Sequence, residues 1–266
     1  METGSKRIRW SIALWTGFVV LVIYLPIFCG ALAGLSKSRY FNFPVPQYSL
    51  EWWQRTVDSI EIQMLLKHSL LIAFIVTLIS VAIAFFGALA FARYDWKGRR
   101  LYQKLILLPI FFPQPVLGLA LLLWFNVLGI TTSWQTAAAA HLVWIIPIVT
   151  LVMAIQVYGF DPVLEEAAAD LGASRMTVLR EVTLPILWPG IWSGALFAFL
   201  LSWGNFSLSL YTAGADSTIP KWLYSKMVAG YTPMVPALGT MSTLAAAFIL
   251  LLGGAVIALL RRRQTA

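Results

Sequence analysis

Three observations predict an all-α integral membrane bundle of about six transmembrane helices. Hydrophobic residues make up 60% of the 266 and charged residues only 11%, with a mean hydropathy of +0.81; soluble domains do not have this composition. Uncharged runs long enough to cross about 30 Å of hydrocarbon recur along the chain. The alternating ten-residue strands of a membrane barrel are missing, so backbone polar groups in lipid must be satisfied within helices. A net charge of +8 and a pI near 9.8 raise nucleic acid as a partner. The basic residues, however, are scattered between apolar runs and form no groove-sized patch, which argues against it. Cys29 is the single cysteine, which excludes an intramolecular disulfide or a cysteine metal cluster.

The first element follows Lys6, Arg7 and Arg9, where an uncharged run extends from Trp10 to Ser36. A signal peptide competes here, because Ala31-Leu32-Ala33 has the form of a cleavage site. The apolar core is longer than such peptides carry, so the run reads as an uncleaved span over about 12 to 34, with Pro26 inside it. From Lys37 to Lys67 the chain turns polar and aromatic. Phe41 to Pro46 reads as an extended loop and Leu50 to Leu66 as a short amphipathic helix, with Trp52 and Trp53 as interfacial anchors. The second span occupies about 69 to 92, uncharged between His68 and Arg93, and a basic turn follows from Arg93 to Arg100.

Leu105 to Phe160 contains no Asp, Glu, Lys or Arg, enough chain for two crossings. The polar cluster Thr131 to Thr136 marks the bend between a third span near 105 to 129 and a fourth near 137 to 158. The fifth runs from about 185 to 210, a polar loop from Tyr211 to Val235, and the sixth from about 237 to 260, ending at Arg261-Arg262-Arg263. The domain division is 1–64 for the first span and its loop, 65–260 for the transmembrane domain, and 261–266 for a basic tail. With the amino terminus inside, thirteen of nineteen Lys and Arg fall on the inner side and six on the outer. Both termini, the basic turn and the loop from Asp161 to Pro185 are therefore expected in the cytoplasm.

That loop is the longest charged segment of the carboxyl half. Asp161 suits an N-cap and Pro162 the first helical position, with Glu165 and Glu166 near the positive helix end. Leu164, Ala167, Ala168 and Leu171 form a narrow stripe of mostly small side chains. Gly172 suits the left-handed C′ position, and Ser174 can cap a second short helix before Leu184-Pro185 opens the fifth span. The product is helix, glycine hinge, helix. A solvated hairpin between two spans would satisfy the same residues.

The spacing Glu166-Ala167-Ala168, three residues, Gly172, nine residues, Val182-x-Leu184-Pro185 resembles the EAA loop of permease subunits in binding-protein-dependent ABC importers of the type I (MetI-like) fold. Val182 stands where that family usually has Ile. The resemblance implies that Glu165, Glu166, Ala167, Ala168, Asp170, Gly172, Ser174, Leu184 and Pro185 couple the chain to an ATPase, Glu166 through a polar contact and Gly172 as the hinge. It extends from about Tyr48 to Leu260 and is similar to the spermidine/putrescine-type branch, through Ser49 to Trp53, Ala92-Arg93-Tyr94, Lys97-Gly98 and Ile219-Pro220. The branch also includes permeases for opines, phosphonates and ferric iron. The implied partners are an ABC ATPase dimer holding ATP and Mg, a second permease subunit in a heterodimer, an external solute-binding protein, and membrane lipid. No cofactor is expected in this chain.

The solute is less legible. A polyamine in hydrocarbon needs carboxylates or aromatic faces, and none of the eleven acids lies within an expected span. Polyamine permeases carry acids after a serine in the fifth span, whereas this chain has Ser202-Trp203-Gly204-Asn205. Gln114, Trp124, Asn126, Ser202, Trp203, Asn205, Ser207 and Ser209 are the groups available to line a pathway, and each could instead serve helix packing. Pro109, Pro113, Pro115, Pro147 and Pro189 add kinks or cavity-lining breaks to spans three to five. A phosphate-binding loop, a dinucleotide fingerprint and a zinc-protease motif are all missing from the sequence. His141 reads as a polar group lining the bundle rather than a metal ligand. A stand-alone secondary carrier would need intramembrane ionisable residues or inverted repeats, and a membrane enzyme a catalytic cluster at one interface.

Overall fold

A computed structural model describes residues 2–40 and 42–265, with side chains outside the description for residues 2–7, 257 and 259–265. Phe41, where the extended loop is expected to begin, and Ala266 of the basic tail lie outside the described residues. The described chain is helical almost throughout, and its isolated β-bridge pairs Ser36 with Tyr48. Among the described residues, five helices are long and apolar enough to cross a membrane, and a bent pair would make a sixth. By contacts the chain divides into residues 1–63 with 223–245, and residues 64–222 with 246–266.

In the first unit, α1 (Glu2–Gly34) starts ahead of the span expected over about 12 to 34 and carries an apolar, exposed surface from Ile8 to Phe28. The loop after it is pinned by two indoles of α2 (Glu51–Asp58). Trp53 donates to the Gly34 carbonyl at 3.1 Å and Trp52 to the Lys37 carbonyl at 3.4 Å. The helix expected over Leu50 to Leu66 stops early: Ser59 is extended, with ψ of 117°, and residues 60–66 instead open α3 (Ile60–Ala92). The Ser59 hydroxyl accepts the Ile62 N–H at 3.4 Å, so a serine starts the span where an amphipathic helix was expected to continue.

The second unit holds the buried core. α7 (Trp134–Tyr158) packs along α10 (Leu184–Trp203), with Ile145, Val149, Met153, Leu187 and Ala198 buried between them and the α3 residues Ile72, Val76, Ala84 and Ala88. Glycines permit the approach: a Cβ at Gly194 would lie 2.8 Å from Met153 Cε. Small residues let membrane helices pack closely where no hydrophobic driving force separates helix from lipid.

Two expected spans are broken. Residues 99–127 form α4 (Arg99–Leu105), α5 (Leu108–Phe111) and α6 (Gln114–Val127), and the axis bends by 101° between Phe111 and Gln114. Phe112 and Pro113 are extended, with ψ of 133° and 126°. Pro109 and Pro115 sit in the first turns of α5 and α6, positions where a missing N–H costs nothing. These prolines start helices rather than kink one. The fifth span likewise ends at Trp203, and the chain resumes as α11 (Phe206–Thr212) after Gly204-Asn205.

The segment expected as a polar loop over Tyr211 to Val235 contains α12 (Ile219–Ala229), and the last helix, α13 (Met234–Thr265), is longer than the sixth span expected over about 237 to 260. Ile219-Pro220 supplies the helix start of α12, and Ser69 accepts the Ile219 N–H at 2.9 Å. Between α11 and α12, Gly214 has φ of +56° and lies so close to the Thr132 backbone that no side chain fits. Lys221 donates to the Gly214 carbonyl at 2.5 Å. Burial lowers the pKa of this ammonium, with the neighbouring Asp216 carboxylate opposing that shift.

Candidate coupling site and polar seam

α8 (Val163–Asp170) is closed at both ends by the residues expected to close it. Asp161 Oδ1 accepts the Val163 N–H at 3.0 Å. At the other end Gly172 adopts φ of +87°, the Gly172 N–H reaches the Ala169 carbonyl at 2.9 Å and the Ala173 N–H the Ala168 carbonyl at 3.1 Å. That pair of bonds is a Schellman cap, which requires a left-handed residue at the glycine position. Ser174 then caps α9 (Arg175–Val178), its hydroxyl accepting the Thr177 N–H at 3.2 Å.

A π-turn over Leu179–Thr183 follows and runs directly into α10. Pro185 lies in the first turn of α10 and brings no N–H. In an unbroken α-helix its ring would crowd the carbonyl four residues back, and the wider turn supplies the room. The second short helix and the fifth span are therefore one continuous rod from Arg175 to Trp203. An extra residue inserted this way commonly marks a functional position in a helix.

The two glutamates of α8 separate in role. Glu166, Ala167, Asp170 and Leu171 are exposed, Ala168 is half-buried and Gly172 exposed. Glu165 turns inward. Its Oε2 accepts Arg93 Nη2 at 2.6 Å and Arg93 Nε at 3.2 Å, and its Oε1 accepts the Thr183 hydroxyl at 2.5 Å. The two side chains of the ion pair are 13% and 20% exposed, and the Arg93 guanidinium also lies 5.1 Å from the Phe160 ring centroid. The pair is more covered than the exposed Arg55–Glu51 pair, whose side chains are 57% and 40% exposed, so losing one member would leave a poorly solvated charge behind.

A second cluster forms where α10 gives way to α11. His141 of α7 is buried, with Nδ1 2.9 Å from Ser202 Oγ and Nε2 3.0 Å from Ser209 Oγ. One ring nitrogen donates and the other accepts. Asn205 is buried, and its Oδ1 caps α11 by accepting the Leu208 N–H at 3.0 Å, leaving Nδ2 without a hydrogen-bond partner. Trp203 is buried and stacks on Phe199 at 6.0 Å. Of the other expected pathway residues, Gln114 and Ser207 are half-buried. They share one seam, since a Cβ at Gly118, one turn after Gln114, would meet the Ser207 carbonyl at 3.2 Å. Trp124 and Asn126 are exposed near the far end of α6 and are not brought to this cluster.

The profile of a family described as binding-protein-dependent transport system inner membrane component matches residues 80–265. The chain belongs to that family. It is a permease subunit of a type I ABC importer. The spermidine/putrescine transport system permease protein PotC of Haemophilus influenzae is 31% identical over 225 residues, 84% of this chain and 87% of that one. The putrescine permease PotI of Escherichia coli K12 is 27% identical over 88% of this permease and 86% of its own length. A sulfate transport system permease, CysT of Salmonella typhimurium, is 29% identical over 80% and 79%. Among solved structures, a bacterial ABC importer of alginate superposes with a TM-score of 0.67 at 19% identity over 93% of this chain and 96% of that one. The methionine transporter MetNI superposes with a TM-score of 0.62 at 18% identity over 76% and 99%. These two likenesses establish the fold of the permease.

Sequence reasoning did not single out Arg93 and Thr183 as the side chains that hold Glu165. Arg93 is legible there as part of a basic turn and of the Ala92-Arg93-Tyr94 resemblance, and Thr183 as a spacer within the motif. A charged residue closing a long apolar span, with a doubled glutamate further along the chain, was the available signal.

Proposed function

We propose that this permease forms half of a translocation pathway, pairs with a second, non-identical permease subunit, and is driven by an ABC ATPase dimer that docks on α8 and carries the ATP and Mg. The carrying observation is the capped, outward-facing end of α8, where Glu166, Ala167, Asp170 and the Gly172 turn are exposed on a short helix whose other glutamate is tied down. Small side chains on that face suit a close-fitting cleft, and Glu166 at its first turn is placed for a polar contact to the ATPase. In this reading α8 and both termini face the cytoplasm, and an external solute-binding protein delivers the solute on the opposite side.

The solute is a small organic molecule of the kind handled by the polyamine-type branch. Relatives named for spermidine and putrescine support that class, while the neutral groups at the α10–α11 break set this permease apart. Ser202, Asn205 and Ser209 offer hydrogen bonds and Trp203 an aromatic face, with no carboxylate in α7, α10 or α11. A polycation crossing here would rest on the Trp203 aromatic face and on serine hydroxyl oxygens, since Asn205 Oδ1 already caps α11.

Purification of the complex from mild detergent, followed by mass spectrometry, tests the partners. An ABC ATPase and a second permease should accompany the chain. Cysteine placed at Ala167 should react with impermeant reagent only from the cytoplasmic side; labelling from outside overturns the orientation. A thermal-shift screen of the receptor against polyamines and other small organic solutes would name the cargo.

A further inference from the structure

The coupling helix of a permease must do two things, receive a push and pass it on, and the structure separates them on adjacent residues. Glu166 faces outward and Glu165 inward. Glu165 commits one carboxylate oxygen to each of two different structural elements. Oε2 takes both Nη2 and Nε of Arg93, the residue that directly follows α3, and Oε1 takes the hydroxyl of Thr183, the last residue of the π-turn that leads into α10. Thr183 is buried and the ion pair is largely covered.

The electrostatics of the elements reinforce the joint. Arg93 stands at the negative end of α3 and Glu165 in the first turn of α8, so each charge is also favoured by its own helix. Geometry restricts slack as well, because charge-assisted bonds of this kind are short and directional. A displacement of α8 therefore cannot leave α3 and α10 where they are without opening at least one of these bonds. The π-turn is the compliant part of this arrangement: it departs from the α-helical bond ladder of the rod on either side, and it lies where Glu165 pulls.

We propose that Glu165, held between Arg93 and Thr183, is the joint that delivers movement of α8 to α3 and α10, distinct from the outward face that a partner grips. Arg93 and Thr183 are positioning residues; they act on transport through Glu165. This rests on the coupling reading of α8 given above.

The test uses the full complex in proteoliposomes with its receptor, measuring ATP hydrolysis together with uptake of radiolabelled spermidine or putrescine, whichever raises the melting temperature of the receptor. The unsubstituted complex is measured first, and absence of ATP-driven uptake there would remove the importer reading itself. Given uptake, Arg93→Gln and Thr183→Val are expected to hydrolyse ATP within about twofold of the parent while the ratio of solute moved to ATP consumed falls about tenfold. Thr183→Ser, which keeps the hydroxyl, should hold the parental ratio. The exchange Arg93→Glu with Glu165→Arg restores the pair but sets each charge against its own helix end, so it should recover part of the lost ratio, more than Arg93→Gln keeps. A ratio unchanged in both Arg93→Gln and Thr183→Val overturns the proposal. So does loss of assembly in both of these together with the exchange variant, because the contact would then serve only to hold the fold.

Discussion

Gly190 of α10 lies against Gln156 of α7 so closely that a Cβ on the glycine would come within 2.5 Å of Gln156 Cγ. The same seam repeats one turn on, where Gly194 meets Met153 and Val149. Gly190→Leu is therefore expected to destabilise the bundle by about 1–3 kcal/mol through overpacking, with Gly190→Ala milder. Thermal melts of the purified permease in detergent would read this. A leucine variant melting with the parent would show that α7 and α10 are not held at this distance.

Gly172 sits in the open, with nothing within 4 Å of where a Cβ would stand, yet at φ of +87°. Space is not the constraint here; backbone conformation is. A leucine in the left-handed region costs about 1–2 kcal/mol, whereas asparagine tolerates it. Gly172→Leu should cut uptake to under about a tenth while the complex still assembles, and Gly172→Asn should keep at least about half. Equal uptake in the two would detach the cap geometry from coupling.

His141 joins α7 to both pieces of the broken fifth span through Ser202 and Ser209. His141→Ala strands two buried hydroxyls, and an unsatisfied buried group costs about 1–3 kcal/mol. The expected result is a lower melting temperature, partly relieved when Ser202→Ala and Ser209→Ala are added. A double-mutant cycle that came out additive would mean the ring and hydroxyls do not interact.

Asn205 gives its oxygen to the α11 cap and keeps an unpartnered buried Nδ2. Asn205→Ser preserves an N-cap oxygen and removes that donor, so stability should stay within about 0.5 kcal/mol while the rate of uptake changes severalfold. Trp203→Ala should likewise alter transport with assembly intact. Normal uptake in both variants would withdraw these residues from the pathway.

Much of this was legible from local rules. Composition and run length determined a helical membrane chain, and Asp161, Gly172 and Ser174 closed and opened helices as cap chemistry dictates. The breaks were harder. Pro113 and Gly204 carry the signals, but hydropathy averages over a window and treats a bent pair as one apolar run. α12 was hidden for a different reason, because Lys221, Ser225 and Lys226 interrupt a short apolar run inside a polar stretch that reads as loop until tertiary bonds such as Ser69 to Ile219 anchor it.

The class of protein, the motif that joins it to its family, and the cap residues can all be read along the chain, since each depends on composition or on neighbours within a few positions. That Glu165 turns inward while Glu166 faces out, and that His141 meets serines 61 and 68 residues away, emerges from how the helices pack. Adjacent residues on a helix point about 100° apart, and which direction is inward depends on where α3 and α10 pass. That placement is a property of packing, which no local pattern encodes.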